Sequence, residues 1–271
     1  MSLQTTLALP LALDREQIDV WLAPVQTGPV AVFLDYDGTL TPIVARPDEA
    51  ALSDAMRDTV QRLAARCPVT IVTGRDISVV RAFVALDVLG YAGNHGLDIV
   101  GPPGSHARKE VAVEFLSVLD DVESVLRSEL NSVQGILVER KRFSVSTHFR
   151  LVAPDEVPRV ESIVARVASR HPLLRREHGK KVLELRPDIA WDKGSAVAWL
   201  LRTLDVVPAA VIYIGDDLTD EHAFEVLADA GTPIVVTEED RPTAARWRLR
   251  DIGEVQLLLE RINAVLLPDG N

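Results

Sequence analysis

The chain has 271 residues, 47% of them apolar, 25% charged and 5% aromatic; this is globular usage and excludes a low-complexity or fibrous protein. With Lys+Arg 29 against Asp+Glu 40 the formal charge is -11, so the surface field repels phosphodiester backbones and nucleic-acid binding is excluded as a main role. The single cysteine, Cys67, cannot form an intramolecular disulfide, and a chain of this length builds its core without one, as in a reducing cytoplasm.

From the start, Leu7–Leu13 is apolar but is broken by Pro10, closed by Asp14 and preceded by no Lys or Arg, so no signal peptide is expected. No later run approaches the roughly 18 apolar residues of a membrane span. Val30–Leu34 is a continuous apolar run between Gly28-Pro29 and Asp35, the pattern of a strand buried on both faces. Similar runs are Val69–Val72, Val88–Ala92, Ala209–Ile214 and Ile234–Val236, separated by helix-like stretches such as Ser53–Ala65 and Ser195–Leu204. That alternation predicts an α/β protein: a doubly wound, Rossmann-like parallel sheet with helices on both faces.

After Gly101-Pro-Pro-Gly104 the character changes. Lys109–Leu130 reads as an amphipathic helix, Phe143–Arg150 alternates as a half-buried antiparallel strand does, and further strands fall near Gly135–Lys141, Leu173–His178 and Lys181–Arg186, with a helix over Asp155–Arg170. The expected division is an N-terminal segment over 1–27, a catalytic core over 28–100 and 188–271, and an inserted α+β cap over 101–187.

Chemistry gathers at the ends of the buried runs. Asp35-Tyr-Asp-Gly-Thr39 follows the first strand, so Asp35 and Asp37 project from the carboxyl edge of the sheet, where open α/β folds bind ligands. Tyr213-Ile-Gly-Asp-Asp-Leu-Thr-Asp220 repeats the pattern with Asp216 and Asp217. Clustered carboxylates at strand ends are stable around a hard divalent cation, and Mg²⁺ held by one or two carboxylates with phosphate and water is the usual arrangement. Asp220 and Glu221 have the plainer reading of acids complementing the dipole of the helix they open. Thr73, in Val72-Thr-Gly-Arg-Asp76, offers a hydroxyl and following amides to an anion at a helix N-terminus. Lys193, in Trp191-Asp-Lys-Gly194, can hold a phosphoryl oxygen and offset the acids' repulsion.

In this order Asp35/Asp37, Thr73, Lys193 and Asp216/Asp217 resemble the four motifs of the haloacid dehalogenase superfamily of aspartate-nucleophile phosphatases. More closely, Asp35–Ile43, Gly93-Asn-His-Gly96, Glu139-Arg-Lys141 through His148-Phe-Arg150, Gly179–Pro187, Trp191–Gly194 and Gly215–Glu221 are similar to the trehalose-6-phosphate phosphatase family, over roughly residues 30 to 260. Thr73 stands where Ser is frequent and Phe149 where Tyr is frequent. The resemblance implies a Mg²⁺-dependent phosphoric monoester hydrolase of trehalose biosynthesis, with Asp35 as nucleophile, Asp37 as general acid/base, and Thr73 and Lys193 on the phosphoryl group. It implies Mg²⁺ held by Asp35, the Asp37 main-chain carbonyl and Asp216, with Asp217 in the outer shell.

Substrate choice belongs to the insert, because the core motifs handle only phosphate. Ser144, Ser146, His148 and Arg150 share one strand face and Lys180, Glu184 and Arg186 another, giving a polar surface for sugar hydroxyls; the plainer alternative is a solvated face. With the resemblance, Arg75, Asn94, His95, Gly96, Glu139, Lys141, His148, Arg150 and Glu184 are the substrate-binding candidates, and His178 and the basic stretch Arg166–Arg176 are solvated surface. The expected partner is the small molecule trehalose 6-phosphate, with no nucleic acid and no membrane, in the cytoplasm, and a monomer is compatible. Alternatives are a phosphatase of sucrose 6-phosphate or a glucosyl phosphoglycerate, a phosphomutase, and a non-enzymatic sugar-phosphate binder, which would usually have lost Asp35 or Asp37.

Overall fold

The computed structural model describes residues 4–14, 16–27, 29–44, 46–179, 181–206 and 210–266. Gly28, Lys180 and Ala209, each part of an expectation above, lie outside them. By contact the chain divides into one unit over Met1–Lys109 and Trp191–Asn271 and a second over Glu110–Ala190.

The first unit is built on β2 (Ala31–Leu34), β3 (Val69–Val72), β4 (Gly90–Gly93), β11 (Val211–Gly215) and β12 (Thr232–Val236), every residue of which is buried. Continuous apolar runs belong in strands covered on both faces. With β14 (Trp247–Leu249), β5 (Asp98–Val100) and β6 (Arg108–Glu110) they form one sheet in the order β14-β12-β11-β2-β3-β4-β5-β6. The first six strands run parallel and β5 turns back antiparallel to β4. Two apolar clusters fill this unit: Val32, Leu34, Val60, Ile71, Leu258 and others in one, and Phe33, Val72, Leu200, Tyr213, Phe224 and others in the second.

Helix α2 (Asp54–Ala64) follows its sequence closely, since Ser53 Oγ accepts from Met56 N at 3.2 Å and buried Met56, Val60 and Leu63 recur at helical spacing. Helix α6 (Lys193–Leu204) starts two residues earlier than Ser195, because Asp192 accepts from Ser195 N at 2.7 Å and thereby caps it. The N-terminal segment is integral to the first unit: β1 (Gln4–Thr5) pairs with β13 (Pro242–Thr243), and Trp21, Leu22 and Val25 of α1 (Ile18–Thr27) are buried in the core.

The second unit holds an antiparallel sheet ordered β7-β8-β10-β9, from β7 (Leu137–Lys141), β8 (Ser144–His148), β9 (Leu174–Gly179) and β10 (Val182–Pro187). Helices α4 (Leu116–Leu130) and α5 (Val157–Arg170) cover it through Leu119, Val122, Leu126 and Val160, Ile163, Val164, Val167. The single helix expected over Lys109–Leu130 is corrected: Arg108–Glu110 is edge strand β6 beside β5, and only Leu116–Leu130 is α-helical. An edge-strand partner overrides the amphipathic period there. Among the described residues no helix is long and apolar enough to cross a membrane.

Candidate active site

Asp35 follows β2 directly, and its amide donates to Ile214 O at 2.9 Å, which ties it to the end of the neighbouring strand β11. Its buried carboxylate accepts from Lys193 Nζ at 2.9 Å, and the same ammonium donates to Asp220 Oδ1 at 2.7 Å. Lys193 reaches both because its helix begins at Asp192, so the side chain leaves the first turn of α6 towards the strand ends. Burial works against the ammonium, but Asp220 and Asp35 outweigh it and hold Lys193 protonated well above its usual range.

The acids crowd one another. Carboxylate oxygens of Asp35, Asp216 and Asp220 lie within 4.8 Å of each other. Burial pushes the Asp35 carboxyl well above the usual range, with Asp220 and Asp216 adding to the rise against Lys193. Burial and Asp220 push Asp216 up to about 6. Gly38 makes this approach possible: its φ is +83°, and a Cβ there would sit 2.0 Å from Asp216 Oδ2.

Hard oxygen donors forced together suit a hard divalent cation, and the three acids are not equivalent towards one. Asp220 Oδ1 already accepts from Lys193 and, at 2.6 Å, from Tyr213 OH, while Oδ2 accepts from Asp217 N at 3.0 Å. Asp35 and Asp216 are therefore the pair suited to the cation, with Asp220 as the brace for Lys193. The dipole role expected for Asp220 is too small for a fully buried acid with three donors on it. Glu221 likewise does more than cap, since it accepts from Arg241 Nη1 at 2.7 Å, Thr243 Oγ1 at 3.1 Å and Ala244 N at 2.8 Å. Arg241 Nη2 in turn donates to Asp216 O at 2.9 Å and so fixes the backbone that carries that acid. Asp217 is exposed and caps the turn Leu218–Asp220, with Thr219 Oγ1 donating to it at 3.2 Å. A cavity of about 670 Å³ opens beside Asp216, lined by Ile43, Leu218, Thr237 and Arg241 among others.

Asp37 is two residues beyond Asp35 and partly exposed, and its two oxygens accept from Arg75 Nε and Nη2 at 2.7 and 2.6 Å. Thr73 follows β3 directly and is buried, with its hydroxyl accepting from Arg75 N at 3.2 Å. Asn94 and His95 donate their amides to Arg75 O and Thr73 O, each at 2.9 Å, so the Gly93–Gly96 turn supports the Thr73 loop. Gly96 O accepts from Trp191 Nε1 at 2.7 Å.

The second unit gathers a different set. Its register aligns Glu139, Ser146, Glu184 and Glu177 in one row across four strands, and Lys141 opposite Ser144 in the next. Glu184 Oε1 accepts from Lys141 Nζ at 3.0 Å, Ser144 Oγ at 2.6 Å and Ser146 Oγ at 3.0 Å. Glu139 pairs with His148 Nε2 at 2.8 Å, and that hydrogen bond lowers the Glu139 carboxyl from its usual value. Arg186 pairs with Glu177. Arg150 lies beyond the end of β8, exposed, and His178 is exposed on β9.

A parallel sheet whose central strands end in an Asp-x-Asp turn, a buried Thr and a second acidic turn, with a helix-borne Lys between two acids, is a doubly wound α/β fold, shared by a haloacid dehalogenase-like hydrolase of Bacteroides thetaiotaomicron with a TM-score of 0.64 at 18% identity, over 87% of this chain and all of the other. The trehalose-phosphatase family pattern matches residues 33–252, and the chain belongs to that family. It is 41% identical over 238 residues to the trehalose-phosphate phosphatase of Mycobacterium tuberculosis, a match that takes in 86% of this chain and 61% of that protein. It is also 41% identical over 266 residues to a trehalose 6-phosphate phosphatase of Zea mays, covering 91% of this chain and 73% of the maize protein. Among solved structures, a trehalose-6-phosphate phosphatase related protein superimposes with a TM-score of 0.72 at 30% identity, over 87% of this chain and 97% of the other. The chain thus spans somewhat under two thirds of the length of its mycobacterial relatives.

Proposed function

We propose that this protein is a Mg²⁺-dependent phosphatase that converts trehalose 6-phosphate to trehalose and phosphate through an aspartyl-phosphate intermediate. The observation that carries the reading is the Asp35 carboxylate, held at a strand end between Lys193 and the acid pair, in a chain of the trehalose-phosphatase family. The alternatives raised above are favoured by no specific feature of the site.

In the first half-reaction an Asp35 oxygen bonds to phosphorus as the bond from phosphorus to the sugar oxygen breaks, and Asp37, protonated, gives its proton to the departing oxygen. In the second, Asp37 takes a proton from water as the water oxygen bonds to phosphorus, and the breaking acyl-phosphate P–O bond returns its electron pair to the Asp35 carboxylate. Thr73 and Lys193 hold the phosphoryl oxygens as charge redistributes, which is where phosphoryl transfer is mostly catalysed. Asp35, the Asp37 main-chain carbonyl and Asp216 would hold a divalent cation, which would supply charge neutralisation to the phosphoryl group. The second unit, with Glu139, Lys141, His148, Arg150 and Glu184, is the proposed source of sugar specificity, and Asn94, His95 and Gly96 are the contacts proposed for the first unit. The buried, inert Cys67 thiol, pushed up to about 12 by burial, fits a cytoplasmic setting.

Phosphate release from a panel of sugar phosphates, with and without Mg²⁺, tests the reading. Trehalose 6-phosphate should be hydrolysed at least tenfold faster, on the order of 1.4 kcal/mol, than sucrose 6-phosphate or glucose 6-phosphate. Preference for another sugar phosphate, or transfer of phosphate to a sugar hydroxyl in place of water, would replace it.

A further inference from the structure

Arg75 is among the most constrained side chains at the sheet edge. Its fork grips both oxygens of Asp37, and its guanidinium carbon lies 5.6 Å from the Tyr36 ring centroid and 5.3 Å from that of Phe83. The backbone on either side is pinned as well. Thr73 Oγ1 accepts from Arg75 N, Arg75 O accepts from Asn94 N, and Asn94 Nδ2 donates to Asp76 Oδ1 at 2.7 Å. Asn94, His95 and Gly96 all have positive φ, of 51°, 57° and 91°, a costly run that brings the amides of Asn94 and His95 onto the Arg75 and Thr73 carbonyls. The two turns interlock: a Cβ on Gly74 would lie 2.7 Å from the His95 ring, and one on Gly93 2.8 Å from Arg75 O.

We propose that Arg75 is a positioning residue, held by the Asn94–Gly96 turn, that orients the Asp37 carboxylate for the water-activating half of the reaction. This rests on the reading of Asp37 as general acid/base. A guanidinium has donors and no acceptor, so in this arrangement both Asp37 oxygens are acceptors, the form that takes a proton from water. The bidentate fork fixes the plane of the carboxylate, which a single-point contact would leave free to rotate. Giving a proton to the sugar oxygen requires one of the two bonds to be exchanged, so the loss of Arg75 falls on hydrolysis of the phosphoenzyme. A substrate-binding role, by contrast, would put the loss into KM.

The test uses the whole chain with Mg²⁺ and nitrophenyl phosphate, whose leaving group needs no proton, followed by rapid mixing. Arg75→Ala, with Arg75→Gln as the alternative should alanine destabilise the turn, should show a burst approaching one phenolate per site, larger than in the wild type. The steady-state rate should then be about tenfold to a hundredfold below wild type, with KM falling in proportion and kcat/KM changed less than about threefold. In an Asp37→Asn background Arg75→Ala should cost nothing further, because the group it positions has gone. Raised KM with no burst, additive losses in the double variant, or full activity in Arg75→Lys, which keeps the charge but not the fork, would overturn the proposal. If Asp37 is not the acid/base, Asp37→Asn alone leaves both half-reactions intact, an outcome separate from additivity.

Discussion

Replacing Lys193 by Met removes the one cation buried between Asp35 and Asp220 and keeps most of the side chain's volume. Two charge-assisted bonds, at 2.9 and 2.7 Å, disappear, and each is worth about 1.5 to 3 kcal/mol when buried. Breaking a buried ion pair from one side costs about 3 to 5 kcal/mol, because the carboxylates left behind are uncompensated. The two ways of reckoning agree, so we expect a loss of about 3 to 5 kcal/mol near neutral pH. At about 2 to 4 °C per kcal/mol for a chain of this size, that lowers the Tm of the first unit by roughly 6 to 20 °C. Calorimetry of chelator-treated protein reads the loss directly. Added Mg²⁺ should restore part of it by neutralising Asp35, while turnover stays abolished because the phosphoryl contact is gone. A Tm change of under about 2 °C without metal, equivalent to under about 1 kcal/mol, would mean that Asp35 and Asp220 are not a buried pair dependent on Lys193, and the account of the site would fail.

Asp35→Asn should retain the fold and lose turnover, since an amide is nearly isosteric but a poor nucleophile; substantial hydrolysis by the folded variant would refute the assignment. Metal-free protein should lose stability as pH rises from about 4 through about 6, because the folded Asp216 holds its proton up to about 6 while the unfolded group releases it near 3.8. That contribution is present below the unfolded value and lost above the folded one; Mg²⁺ should flatten the slope, and urea titrations across this window check it. Glu139→Ala, Lys141→Ala and Glu184→Ala should each reduce kcat/KM for trehalose 6-phosphate by about tenfold to a hundredfold, since lost hydrogen bonds cost about 1 to 3 kcal/mol each. The same variants should barely change hydrolysis of an aryl phosphate, and equal losses on both substrates would return these residues to a structural role.

The strands were legible because burial on both faces leaves a direct trace. Ala31–Leu34 is an unbroken apolar run and Val69–Val72 is interrupted only by the β-branched Thr70, and each is followed directly by a residue of the proposed site, Asp35 or Thr73. The polar face of the second unit was legible from period-two alternation, which puts Glu139, Ser146 and Glu184 in one row once the strands pair. Pairing itself leaves no local trace. Lys109 and Glu110 fall within the amphipathic pattern that runs over Lys109–Leu130, yet they lie in a strand beside Asp98–Val100, and only the neighbour decides that.

Among the site residues, the same limit separates acids that look alike in sequence. Asp192, Asp220 and Asp251 each stand at the opening of a helix, where an acid is stabilised by capping and by the dipole. Asp192 accepts from Ser195 N and Asp251 from Glu254 N, so for these two the local explanation is sufficient. Asp220 instead turns inward, and its donors are Tyr213 OH on the preceding strand and Lys193 on a helix that starts 27 residues earlier. Burying an acid without such donors is prohibitive, so the clue lay in the partners. Tyr213 is a hydroxyl-bearing residue in an otherwise aliphatic, fully buried strand, and Lys193 is a cation immediately behind a helix cap. Each needs a buried acceptor, and the acid within reach of both is the one whose own position offered the most ordinary explanation.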